Sequence, residues 1–167
     1  MKFILGLFLL LAPLVSMASD VCEPNVDSCG FYLCQEKSHH CGSKGYPVGF
    51  GFKFCQIYLH SEKNYSPAAH TWLRRVRVCL MEEFAKADIE NSRRTCSEIK
   101  GDGFESHAGC YVKTGFCELS GADYLQIFWA MKSSAIHAEI FKDAHSVAKA
   151  CAHRGNPVPA FFFSKFQ

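Results

Sequence analysis

The residues best placed to do chemistry are ten cysteines: Cys22, Cys29, Cys34, Cys41, Cys55, Cys79, Cys96, Cys110, Cys117 and Cys151. All follow a hydrophobic leader, and an even set in an exported chain reads as a disulfide framework, because paired thiols persist only in oxidising compartments. Ten thiols can pair in roughly a thousand ways, so the count alone selects no scheme. Eight histidines are the next candidates. His39-His40-Cys41 is the closest cluster, but Cys41 belongs to the even set and adjacent histidines rarely share one ion. A surface loop is the expectation there. His137 and His145 stand eight residues apart on one expected helix, two turns rather than the single turn of a zinc-binding pair. They read as a solvated flank.

Hydrolytic chemistry finds no better footing. A secreted phospholipase A2 would need a His-Asp pair beside a calcium-binding glycine loop; Cys110-Tyr111 is present, but no His-Asp pair occurs. Neither G-x-S-x-G nor H-E-x-x-H appears. The glycine- and aromatic-rich stretch from Gly45 to Phe52 contains G-x-G, a weak phosphate signal, and reads as tight turns beside bulky packing residues. The expectation is a non-enzyme with no cofactor and no metal. Asn64-Tyr65-Ser66 is a glycosylation sequon followed by Pro67, which lowers the expected occupancy. Arg74-Arg75 and Arg93-Arg94 resemble dibasic processing sites, yet both fall in expected helices, where a protease cannot thread the backbone. With Arg77 they read as solvated faces, at most a weak basic patch for glycosaminoglycan.

The leader sets the compartment. Lys2 is followed by an almost wholly apolar run from Phe3 to Val15, then by Ser16-Met17-Ala18, with small residues where a signal peptidase reads. Residues 1–18 are expected to be a signal peptide and 19–167 a single disulfide-rich domain, secreted and extracellular. The apolar run falls short of the ~20 residues that a spanning helix needs. A net charge of +2 over the whole chain argues against nucleic acid or a strongly acidic partner.

The elements that must position the cysteines read as helices. Ser66-Pro67 supplies an N-cap and a first-turn proline, and Trp72, Val76, Cys79, Leu80, Phe84 and Ala87 recur at helical spacing. Arg74, Arg75, Arg77, Glu82 and Lys86 fill the opposite side. A shorter helix is expected from Asn91 to Ile99, broken by Gly101-Asp102-Gly103, and a third from about Phe104 to Cys117. Gly121-Ala122-Asp123 opens a fourth, carrying Tyr124, Ile127, Phe128 and Met131. A fifth begins near Ser134, carries Ile136, Ile140, Ala144, Val147, Ala148 and Cys151, and stops at Arg154-Gly155-Asn156-Pro157. Only Ile57-Tyr58-Leu59 offers a strand alternative, and it could equally be helical; Cys22 to Cys55 reads as loop-rich. The short apolar tail Phe161-Phe162-Phe163 is expected to pack back on the bundle. The fold expected is an all-α, disulfide-linked helical bundle with a loop-rich N-terminal part.

The ordered cysteine gaps and the text around them resemble the stanniocalcin family. The close pair Cys29…Cys34, the long gap Cys55…Cys79, the run Cys79…Cys96…Cys110, the short Cys110…Cys117 and the long step to Cys151 are similar to that family's core. Arg93-Arg94-Thr95-Cys96-Ser97 resembles its Arg-Arg-Cys-Ser segment with one threonine inserted, and Cys110-Tyr111-Val112-Lys113…Cys117 its Cys-Tyr-x-Lys-x-x-x-Cys. The resemblance implies five bridges: Cys22–Cys34, Cys29–Cys55, Cys41–Cys96, Cys79–Cys110 and Cys117–Cys151. It also implies a secreted hormone or paracrine regulator, acting in calcium and phosphate homeostasis or by inhibiting a secreted metalloprotease, with an extracellular protein as partner. Two departures stand out. The gap Cys41…Cys55 is longer than in vertebrate members, and no cysteine follows Cys151, where those members carry their dimer-forming thiol. A monomer or non-covalent dimer is therefore expected, any dimer resting on apolar surface such as Trp129, Phe128 or the Phe161–Phe163 tail. The rival from another class is a venom or defence polypeptide acting on a channel or receptor. Toxin precursors commonly place a propeptide between leader and first cysteine, and here only Ser19, Asp20 and Val21 separate the two, which disfavours the toxin.

Overall fold

The computed structural model describes residues 22–61, 64–131 and 138–156. Among them the chain is all helical, without a strand. In chain order come α1 (Gly30–His39), a π-helical turn (Tyr46–Phe52), α2 (Lys53–Ser61), α3 (Pro67–Glu90), α4 (Cys96–Lys113), a 3₁₀ turn (Phe116–Glu118), α5 (Gly121–Met131) and α6 (Ala138–His153). The leader, Ser134, Ile136, His137 and the Phe161–Phe163 tail lie outside the described residues.

Helix α3, about 36 Å long at 1.5 Å per residue, is the spine. Ser66 caps it, its hydroxyl accepting from the Ala69 N–H at 3.2 Å, and Pro67 occupies the first helical position. Its buried side unites two apolar clusters. Trp72, Leu73 and Val76 pack with Phe116, Tyr124, Ile127 and Val147 in one. Met81 and Phe84 pack with Phe31, Tyr32, Tyr46, Ile99 and Phe104 in the other. Of the residues that the helical spacing places on this face, Leu80 and Ala87 are only half-buried. Burying a side chain of this size is worth about 1.5–3 kcal/mol, so these faces hold the helices together more than helix propensity does.

Five disulfides tie the helices together: Cys22–Cys34, Cys29–Cys55, Cys41–Cys96, Cys79–Cys110 and Cys117–Cys151, the pairs that the resemblance implies. Among the described residues no cysteine is free. The first two tie α1 to the preceding chain and to α2. Cys41–Cys96 joins the segment after α1 to the start of α4, Cys79–Cys110 clamps α3 to α4, and Cys117–Cys151 holds the 3₁₀ turn to α6. Each closes 12 to 55 residues of chain, worth roughly 3–4 kcal/mol by the loop-entropy argument.

Several expectations need correction. The region from Cys22 to Cys55 is largely helical, with α1, the π-helical turn and the start of α2. Ile57-Tyr58-Leu59, open to either reading from sequence, is helical and lies within α2. Gly101-Asp102-Gly103 does not break a helix; α4 runs through it from Cys96 to Lys113. The reason is packing. A Cβ on Gly103 would lie 2.3 Å from the Tyr46 ring, so the glycine admits that ring against the helix. A capping box closes the N-terminus of α4: Glu98 N–H donates to Thr95 Oγ1, and Thr95 N–H donates to Glu98 Oε2. Together these outweigh the ~1 kcal/mol that each helical glycine costs.

Candidate functional site

Two buried polar centres and two surface regions hold what chemistry the structure offers. The first centre is His107 on α4. Its Nδ1 lies 3.1 Å from Asp143 Oδ2 on α6, and its Nε2 lies 3.4 Å from the Tyr46 hydroxyl. Rings of Phe50, Phe104 and Tyr111 surround it, with centroids 5.4–5.9 Å away. A carboxylate on one imidazole nitrogen resembles the base and orienter of a hydrolase, but the other nitrogen meets a phenol. Burial pushes the Tyr46 hydroxyl well above its ordinary range, and pushes that of Tyr111 up to about 12. Both stay protonated at neutral pH and act as neutral hydroxyls, not as bases or phenolate nucleophiles. The adjoining cavity, lined by Tyr32, Tyr58, Arg77 and Tyr111 among others, is about 30 Å³. That volume is about that of a single water molecule. This centre joins α4, α6 and the π-helical turn.

The second centre is Arg94, between α3 and α4. Its guanidinium bonds Asp88 on one side and Asp102 Oδ2 on the other at 2.8 Å, and lies 4.9 Å from the Phe84 ring centroid. Asp88 also takes His39 Nε2 at 2.9 Å. Two expectations are thereby overturned. Arg94 is not a solvated helix residue, because it sits before the start of α4 and is buried. His39 is not in a surface loop: it ends α1 with its side chain 7% exposed. Only His40 beside it faces solvent, in the left-handed conformation that closes the helix. Arg77, expected on the outer side of α3, is likewise buried and donates to the Val26 carbonyl at 2.9 Å. Buried cations keep their charge when they find such acceptors.

The remaining histidines are scattered. His60 Nδ1 lies 2.8 Å from the Gln56 carbonyl, and His145 and His153 are exposed. Among the described residues no three His, Cys, Asp or Glu side chains are grouped to hold a metal. Asn64 is exposed in the connection between α2 and α3, and Ser66 of its sequon caps α3. Sequence reasoning missed the His107–Asp143 and Arg94–Asp88 pairs. Their members lie on different elements, and no local spacing marks them.

On the surface, α5 presents Leu125 at 40% and Trp129 at 54% exposure, with half-buried Phe128 set edge-on to Trp129. Exposed tryptophan is enriched at the centres of protein contacts. The second region lies at the basic N-terminal half of α3, where Arg74 and Arg75 line a depression with Lys113 and Thr114 at the end of α4. No helix among the described residues is long and apolar enough to cross a membrane. No family model, curated protein or solved structure matches the chain.

Proposed function

We propose that this chain is a secreted, non-enzymatic regulator similar to the stanniocalcins, acting by binding an extracellular protein. The observation that carries the reading is the disulfide framework: its five bridges are the pairs implied by the resemblance. Bridges of this number fit an oxidising compartment. The two polar centres join helices, and the one at His107 adjoins only a water-sized cavity, which favours binding over catalysis. The exposed Leu125 and Trp129 on α5 supply an apolar contact face.

The test is titration of the purified chain, bridges intact, against a panel of secreted zinc metalloproteases, with complex formation followed by light scattering. Inhibition that saturates at a fixed stoichiometry and disappears on reduction supports the proposal. Absence of any complex at micromolar concentration, with block of an ion-channel current at the same concentration, favours the venom or defence polypeptide instead. Calcium-dependent release of fatty acid from phospholipid would overturn the non-enzymatic reading altogether.

A further inference from the structure

We propose that the groove between α3 and the C-terminal end of α4 binds a sulfated glycosaminoglycan. Two adjoining depressions, about 660 and 460 Å³, share Thr71, Arg75, Lys113 and Thr114. Arg74 and His70 line the first and Arg154 the second. The exposed cations Arg75, Lys113 and Arg154 come from three separate stretches of chain, and disulfides bring them together. Arg75 stands one turn before Cys79 on α3, and Lys113 one turn after Cys110 on α4. The Cys79–Cys110 bridge therefore fixes the two cations on adjoining helix faces. Arg154 follows Cys151, which Cys117 holds, and its Nη1 donates to the Val112 carbonyl at 3.4 Å. The bundle has built a cationic groove out of positions that are unrelated in sequence.

The balance of charge sets the affinity class. Asp27 holds Arg74 at 3.1 Å, and Glu82 and Glu118 line the two depressions. The cations exceed these acids only modestly, so the groove suits a flexible polyanion that places several sulfates at once, rather than one tightly held anion. Guanidinium groups present the paired donors that oxyanions accept. Among the described residues, none of the exposed large apolar side chains, Leu33, Ile89, Leu125 and Trp129, lines the groove, which favours a soluble polyanion over a lipid surface. The basic patch conceivable from sequence, which joined Arg74 and Arg75 with Arg77, Arg93 and Arg94, is not the one formed: Arg77 and Arg94 are buried.

The experiment is chromatography of the intact secreted chain on immobilised heparin, with solution titration by a heparin octasaccharide. The wild-type chain should elute above ~0.15 M salt, where exposed charges are screened beyond about 8 Å. Arg75→Glu with Lys113→Glu should weaken octasaccharide binding about tenfold or more, while Arg93→Glu, an exposed position beyond the far end of α3, should leave it within about twofold. Should the double reversal fail to fold, the neutral pair Arg75→Gln and Arg154→Gln should still lower the eluting salt. Passage of the wild-type chain through the column at ~0.15 M salt would overturn the proposal. So would an equal loss in Arg93→Glu, competition by unsulfated hyaluronan, or preference for phosphatidylserine vesicles.

Discussion

Gly101 and Gly103, two residues apart in α4, should respond in opposite directions to alanine. At Gly101 nothing lies within 4 Å of an added Cβ, and the position is exposed. Alanine there should stabilise by about 0.5–1 kcal/mol, through reduced freedom of the unfolded chain and better helix propensity. At Gly103 the same methyl would lie 2.3 Å from Tyr46 Cζ and 2.6 Å from both Cε atoms, well inside the ~3.5–4 Å of a favourable carbon contact. The ring has little room to retreat. It stacks on Phe50 at 5.6 Å and Phe84 at 6.2 Å, meets Phe104 edge-on at 5.5 Å, and its hydroxyl reaches His107. Overpacking of this kind costs about 1–3 kcal/mol, more than the propensity gain at most such sites. Gly103→Ala should therefore end about 1–2 kcal/mol less stable than the parent. The variants should differ by roughly 1.5–3 kcal/mol, or about 3–12 °C in Tm for a chain of this size. Thermal and urea unfolding with the bridges intact measures this, and near-ultraviolet circular dichroism reports on the tyrosine packing. Equal stability of the two variants would refute the placement of Tyr46 against α4.

Arg94→Met should cost about 2–3 kcal/mol in urea unfolding, because it leaves Asp88 short of its buried cation; a loss under ~0.5 kcal/mol, the worth of an exposed pair, would refute the buried clamp. Asp123 caps α5 from inside: burial pushes its carboxyl up, but hydrogen bonds from Ser120 and Ser66 outweigh burial and hold it below the ordinary range. Its charged form is therefore favoured in the fold. The stability it confers is present above the ordinary value of about 3.9 and is lost as pH falls through the lower folded value. Asp123→Asn should lower Tm at neutral pH and converge with wild type in acid, whereas a constant gap from neutral to strongly acid pH would contradict this. Non-reducing electrophoresis should show a monomer, since the ten cysteines pair internally; a dimer that collapses on reduction would mean that one bridge is misassigned.

The sequence by itself determined what depends on neighbours in the chain. The start of α3 is legible because a serine cap and a first-turn proline act within one turn, and its apolar stripe because helical geometry gathers those residues on one side. The end of α6 is legible for the same reason: Gly155 takes the positive φ of 87° that stops a helix. The all-α class follows from such local signals. The cysteine pairing does not; spacing leaves it open, and only resemblance narrowed it in advance.

Tertiary structure decided the rest. Local rules place a break at Gly101-Asp102-Gly103, yet α4 continues, because the contact of Tyr46 with Gly103 comes from a residue 57 positions earlier. Local rules also place Arg77, Arg94 and His39 in solvent, since a charged or polar side chain without a known partner belongs there. Each is buried because an acceptor arrives from elsewhere: Val26 for Arg77, Asp88 and Asp102 for Arg94, and Asp88, 49 residues away, for His39. The groove of Arg75, Lys113 and Arg154 has the same origin, in bridges that bring three distant stretches together. Helix boundaries are set by short-range free energies of about 1 kcal/mol. Burying a charge costs several times more, and the attraction that offsets this cost exists only once the partner is in place.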